Sequence, residues 1–172
     1  DLEALSFWSF SNPNTNKWYV GALGHNGTEA DAATGNGLYI SNDNGLTNTY
    51  TTNVVSVAHA SVLVNIEEDN LYGISFDYRS VAEEWSDYVL VRLVPFGAEL
   101  GTSTTQANQH VIGNSPGTTN NQWQRADVFV PSDITPGAYY LTFTWRNDSY
   151  SGEQPPASID NVSVYTMSCT PT

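Results

Sequence analysis

The chain has 172 residues, enough for one domain with a sizeable core, and 40% hydrophobic against 13% charged residues excludes a disordered segment. Its formal net charge of −13, from 18 acidic and 5 basic residues, repels phosphate backbones and anionic lipid. Nucleic acid is therefore not an expected partner, and the short apolar runs predict no membrane insertion.

Strands are predicted in chain order at Leu2–Phe10, Lys17–Leu23 and Leu38–Ser41, where apolar residues alternate with polar ones rather than recurring at helical spacing. The last of these opens the stretch LYISNDNGLTNTY. As an EF-hand loop with Gly45 in sixth place, it would put Ile40 first and Thr51 twelfth, and neither is the required carboxylate. Asn44-Gly45 instead signals a hairpin turn, because both residues accept positive φ. A strand at Ser61–Glu67 follows.

The clearest alternation is LYGISFDYRS, Leu71–Ser80, with Tyr72, Ile74, Phe76 and Tyr78 on one face. In Asp87–Pro95, Val89, Val91 and Leu93 suit the core, and the short VAEEW linker between the two strands predicts that they pair as a hairpin. Gln124–Val130, Ala138–Arg146 and Ala157–Tyr165 complete the set, punctuated by Pro131, Pro136-Gly137 and Pro155-Pro156. Many strands, polar loops and no helical period make this an all-β chain. The expected architecture is an antiparallel β-sandwich, a jelly roll, as a single domain over residues 1–166. Residues 167–172, MSCTPT, read as the start of a linker to other domains of the same chain, and a chain opening at Asp1 reads as a mature segment. Cys169, the only cysteine, leaves no disulfide framework and no CxxC metal site. Abundant Asn, Thr, Ser and aromatic residues with one lysine fit an extracellular or cell-surface module.

In SIDNVSV, Asp160 shares strand parity with Val162 and Val164, which predicts a carboxylate facing inward at the rim. Such a group needs donors or a compensating charge. The two readings are a turn cap or an Arg partner on one side, and a hard cation with oxygen ligands, Glu3 assisting, on the other.

The segments DLE, NKWYVG, LYISNDNG, YGISFDYR, DYVLVRLVP and LTFTWRNDSYSGEQPPASIDNVSV, followed by a Cys-Pro-type tail, together resemble the MAM-like, concanavalin-type jelly-roll modules of secreted Bacteroidetes proteins. These are relatives of the cleaved-adhesin domains of gingipain-type surface proteins. The resemblance covers residues 1–166 and implies the fold more firmly than any activity. Within the wider group of carbohydrate-binding modules it implies a structural calcium held by Glu3, loop carbonyls and Asp160, with Asn42 and Asp43 completing the shell.

Catalysis is not expected. His25, His59 and His110 lack metal spacing, no GxSxG elbow is present, and Glu67-Glu68-Asp69 and Glu83-Glu84 read as solvated turns. Binding is the better expectation. Trp85, Trp123 and Tyr150 fall in polar loops as flat faces for a sugar, whereas Trp8 and Trp145 read as core. A second surface follows from the predicted hairpin. One sheet face would carry Asp77, Arg79, Tyr88, Arg92, Tyr140 and Arg146, either as guanidinium sites for sugar hydroxyls, uronates or sulfates, or as cross-strand ion pairs. The expected function is a non-catalytic carbohydrate-binding module that targets a larger secreted enzyme or surface protein to a polysaccharide or glycan; the alternative is an adhesin module that binds proteins. Asn26, Asn147 and Asn161 lie in glycosylation sequons.

Overall fold

The computed structural model describes residues 7–27, 35–83, 85–114 and 119–167. They form ten strands: β1 (Ser9–Ser11), β2 (Lys17–Gly21), β3 (Gly37–Ser41), β4 (Ser56–Ile66), β5 (Leu71–Arg79), β6 (Tyr88–Pro95), β7 (His110–Asn114), β8 (Gln124–Phe129), β9 (Gly137–Asn147) and β10 (Ser158–Met167). One sheet has the order β1-β4-β9-β6-β7 and the other β2-β3-β10-β5-β8, every pairing antiparallel. Only β2–β3 and β6–β7 are both consecutive and adjacent; all other connections cross between the sheets, which is the winding of a jelly roll. We call them the β9 sheet and the β10 sheet.

The core is the interleaving of the two inner faces. Val89, Val91 and Leu93 of β6, with Leu141, Phe143 and Trp145 of β9, are almost fully buried against Ile74, Phe76 and Tyr78 of β5. Phe76 meets Phe143 edge-on across the sandwich, centroids 5.2 Å apart, an arrangement that aligns positive ring edge with negative ring face. Trp8 and Trp145 are core residues, as their parity implies.

Three expectations are corrected. The strands β5 and β6 do not form a hairpin: β5 pairs with β10 and β8, β6 with β9 and β7, and the linker carries the chain from one sheet to the other. A two-residue period shows which face of a strand is buried but not which strand lies beside it. The SNDNG stretch is a turn, with φ +63° at Asn44 and +84° at Gly45, but not a hairpin, since β3 and β4 belong to different sheets. Asp160 does not face inward. A β-bulge between Asp160 and Ser163, with Asn161 at φ +50°, inserts one extra residue and reverses the parity, so Val162 points to the core and Asp160 to the outer face.

Strand β1 occupies the end of the predicted Leu2–Phe10 strand, whose first residues lie outside those described. Strand β4 begins five residues earlier than the alternation suggested, and β7 had no clear signal.

Candidate functional site

Because every pairing is antiparallel, the connections alternate between two ends of the sandwich. Residues 12–16, 42–55, 80–87 and 148–157 lie at one end. Buried polar groups hold that end together. Asn147, fully buried, receives Asn16 Nδ2 at 2.8 Å and Trp145 Nε1 at 3.0 Å on its Oδ1, and its Nδ2 donates to the carbonyls of Val54 and Asp148, each at 2.8 Å. Asn16 in turn bonds Thr51 through both its Oδ1 and Nδ2. Asp87 accepts the Tyr50 hydroxyl and the Asp148 backbone N–H at 3.1 Å. Burial pushes the Asp87 carboxyl up even though both donors pull it down, and burial together with Asp87 pushes the Tyr50 hydroxyl up. Sequence reasoning missed Asn16, Asp87 and Asn147. The only signal was that such polar residues sit at strand ends beside apolar runs.

On this frame stand the most exposed aromatics. Trp85 is 87% exposed with φ +73°, and Tyr150 is 78% exposed. Their loops are tied to each other: Ser151 Oγ donates to Glu83 Oε2 at 2.9 Å, and Asp87 bonds Asp148. Arg146 extends the rim from the outer face of the β9 sheet. Its Nη1 donates to the Ser86 carbonyl at 2.7 Å, and its guanidinium lies 5.8 Å from the Tyr88 ring. The structure therefore brings Trp85, Tyr88, Arg146 and Tyr150 into one neighbourhood.

It separates the other predicted members. Asp77 and Arg79 lie on the outer face of the β10 sheet, and Tyr88, Arg92, Tyr140 and Arg146 on that of the β9 sheet, so the expected composite face does not exist. Arg79 stacks on half-buried Trp123 at 4.8 Å and donates to the Leu23 carbonyl, which makes that pair a structural clasp. Tyr140 packs against Phe96 with centroids 5.3 Å apart.

Arg92 is fully buried beneath the connection 96–109, which folds back over the β9 sheet. Its Nη1 donates to the Thr104 carbonyl and to the Gln106 and Gln109 side chains; its Nη2 donates to Thr144 Oγ1 at 2.7 Å and to His59 Nδ1 at 3.3 Å. No carboxylate among the described residues lies within ion-pair distance, and burial lowers the guanidinium to about 10. With Nδ1 accepting, His59 is the neutral tautomer whose Nε2–H donates to the Gly101 carbonyl at 3.1 Å. Burial first, and the Arg92 charge second, lower its pKa from 6.5 to about 4. A lowered folded-state pKa means stability is complete above pH 6.5 and declines as pH falls toward 4, by on the order of 3 kcal/mol. His59→Gln should flatten urea midpoints between pH 4 and 6.5; an unchanged acid slope would reject this account.

On the outer face of the β10 sheet, Asp160 is 1% exposed and its carboxylate accepts His25 Nδ1 at 2.9 Å, the Asn26 backbone N–H and the Asn161 backbone N–H at 2.8 Å. Beside it, Asp77 takes the side-chain amides of Asn26 and Asn161 and Arg125 Nη1 at 3.0 Å. Burial alone would raise the Asp77 carboxyl, but those hydrogen bonds and the Arg125 charge outweigh it and hold it below the usual range. The sequon asparagines are thus all engaged in hydrogen bonds.

Asp43 caps its own turn. It accepts Ser41 Oγ at 2.6 Å and both the Thr47 hydroxyl and N–H, which lower its carboxyl to about 2. Asn42 bonds Thr51 and Thr49. Both residues lie beyond Ser41, whereas Asp160 continues β10 past Ile159, opposite Leu38, toward the other end of β3. At about 3.3 Å per residue the two places are roughly 13 Å apart along the sheet. The structure does not bring Asn42 and Asp43 to Asp160, Glu3 lies outside the described residues, and no group of three His, Cys, Asp or Glu placed to hold a metal occurs among those described. The described side chains alone are not a calcium shell.

No protein-family model matches the chain, and no curated protein matches it. Solved structures do. TmCBM61 in complex with β-1,4-galactotriose aligns with a TM-score of 0.53 at 10% identity, over 93% of this chain and 88% of that one. The K1 cleaved adhesin domain of Lys-gingipain from Porphyromonas gingivalis W83 aligns at 0.54 and 13%, over 94% and 91%. The family 11 carbohydrate-binding module of the cellulosomal cellulase Lic26A-Cel5E of Clostridium thermocellum aligns at 0.50 and 14%, over 97% and 92%. At these identities the likeness is one of fold, and this chain is a jelly-roll β-sandwich of the architecture that those modules and that adhesin domain share.

Proposed function

We propose that this chain is a non-catalytic, extracellular carbohydrate-binding module that holds a larger secreted enzyme or surface protein near a polysaccharide. The observation that carries the reading is the rim formed by Trp85 and Tyr150. Two large aromatic faces stand 87% and 78% exposed on loops that are bonded to each other and anchored by a buried polar network. Exposed rings on fixed loops cost little to order on binding and suit the apolar faces of sugars, while the Arg146 guanidinium stands near to bond hydroxyls. The acids near the rim serve as structural acceptors, Glu83 for Ser151 and Asp87 for Tyr50, which supports binding rather than hydrolysis. Fold likeness to structures described as carbohydrate-binding modules supports the same reading.

Calcium belongs to this proposal as a structural ion at Asp160, with Glu3 and loop carbonyls as the remaining ligands. A polysaccharide and glycan-array screen, run in calcium and again in chelator with the melting temperature followed in both, tests the two parts together. Binding to a neutral glycan in either buffer is the expected result. A melting temperature several degrees lower in chelator supports the ion, and an equal one removes it. A folded protein that binds no glycan would turn the reading to a protein-binding adhesin.

A further inference from the structure

A recess opens at the same end of the sandwich, its lining including neither Trp85 nor Tyr150. It is a cleft of about 500 Å³ between the β1–β2 connection and the SNDNG turn, large enough for one or two sugar rings. Asn14, Thr15, Lys17, Tyr19, Asn42 and Asn44 contribute its polar wall.

The donor balance of that wall is its distinguishing feature. Lys17 is the only lysine of the chain, and among the described residues its ammonium has neither an ion pair nor a hydrogen bond. Asn14 uses its Oδ1 to accept the Val57 N–H at 3.0 Å, which turns its amide NH₂ away from that bond. Asn42 has both ends committed within its own turn and serves as wall only. Tyr19 packs beside Tyr39, centroids 6.2 Å apart, and over Gly45, where a Cβ would come within 3.0 Å of the Tyr19 ring. Glycine at that turn therefore leaves room for the Tyr19 ring. The cleft offers an aromatic ring, an unpaired ammonium and a free amide NH₂, and Asp43, which does not line it, is engaged by Ser41 and Thr47 within its own turn.

We infer that this cleft is a distinct binding site for a sugar that carries an acid group, its carboxylate or sulfate held by Lys17 and Asn14 and its ring laid against Tyr19. The chain as a whole is strongly acidic, but at physiological ionic strength charges are screened beyond about 8 Å, so the contacts inside the cleft outweigh the distant carboxylates. Short acidic oligosaccharides fit this balance better than long polyanions, which would also meet the acidic surface. The inference places a second ligand class on the module proposed above, and the two stand or fall separately.

Titration calorimetry on the whole chain with trigalacturonate (carboxylate only), a κ-carrageenan tetrasaccharide (sulfate only) and a neutral xylo- and galacto-oligosaccharide set tests it. Lys17→Gln should weaken the acidic ligand tenfold or more and leave neutral ligands and the melting temperature unchanged, because Lys17 makes no contact that folding needs. Asn14→Ala should also weaken the acidic ligand several-fold, whereas Tyr19→Phe, which keeps the ring and its packing, should bind it as the wild type does. The Trp85→Ala variant should retain acidic binding. Comparison of the first two ligands tells carboxylate from sulfate. Neutral binding without acidic binding overturns this inference and leaves the module reading intact. Acidic binding lost in Trp85→Ala but kept in Lys17→Gln overturns the location. Binding of neither class overturns both.

Discussion

The double variant Trp85→Ala/Tyr150→Ala loses neutral-glycan binding by roughly 100-fold or more while unfolding at the wild-type temperature. The estimate follows from about 1.5–2 kcal/mol for each aromatic anchor of a binding surface. The unchanged stability follows from exposure: both rings stand in solvent, and neither is among the side chains that pack the core. Trp85 is held at φ +73°, a conformation that a non-glycine residue adopts only when its surroundings impose it. Here the Asp87–Glu83 turn bond and the Arg146 contact to Ser86 bracket it on both sides. The experiment is a pair of measurements, calorimetric affinity for the best glycan of the screen and a thermal melt. Affinity within threefold of wild type would remove the rim as the site. A fall in melting temperature with the fall in affinity would show that the rings pack rather than bind.

The opposite separation is expected at Asn147. Asn147→Ala should destabilise the fold by about 3–5 kcal/mol, since each buried group left without a partner costs roughly 1–3 kcal/mol. Trp145 Nε1 and the Val54 and Asp148 carbonyls each lose a bond, and Asn16 loses one of the bonds that hold it. For a chain of this size that corresponds to a melting temperature lower by about 10 °C. Asn147→Asp should do no better, because it replaces a donor with a buried charge. A loss under 1 kcal/mol in urea unfolding would show that water substitutes for the side chain and that the connections at this end are held by other means. Together the two experiments separate the residues that display the rim from those that support it.

The same contrast runs through what the sequence could tell. The alternation in LYGISFDYRS and DYVLVRLVP was enough for two strands with buried faces Ile74–Phe76–Tyr78 and Val89–Val91–Leu93, because the direction of a side chain from a strand is set locally by the pleat. Asn44-Gly45 was enough for a turn, because positive φ is a property of those residues themselves. The loop placement of Trp85, Trp123 and Tyr150 followed from their polar neighbours, but not their exposure: Trp123, with the same signal, is half-buried against Arg79. Strand partners did not follow, since the hairpin between β5 and β6 and their placement in opposite sheets bury the same residues.

Single events outside the local pattern decided the rest. One extra residue at the Asn161 bulge turned Asp160 from the core to the outer face, where His25 and Asn26 cover it. The fold of residues 96–109 over the β9 sheet converted Arg92 from a surface cation into a buried one. The cleft at Lys17 and Tyr19 exists because the β1–β2 connection lies beside the SNDNG turn. By itself the sequence determined the all-β class, the buried faces of its strands and which aromatics belong to loops. The tertiary structure alone decided which polar groups are used up in holding the sandwich and which are left to meet a ligand, because a hydrogen bond between residues a hundred positions apart leaves no periodic trace in the chain.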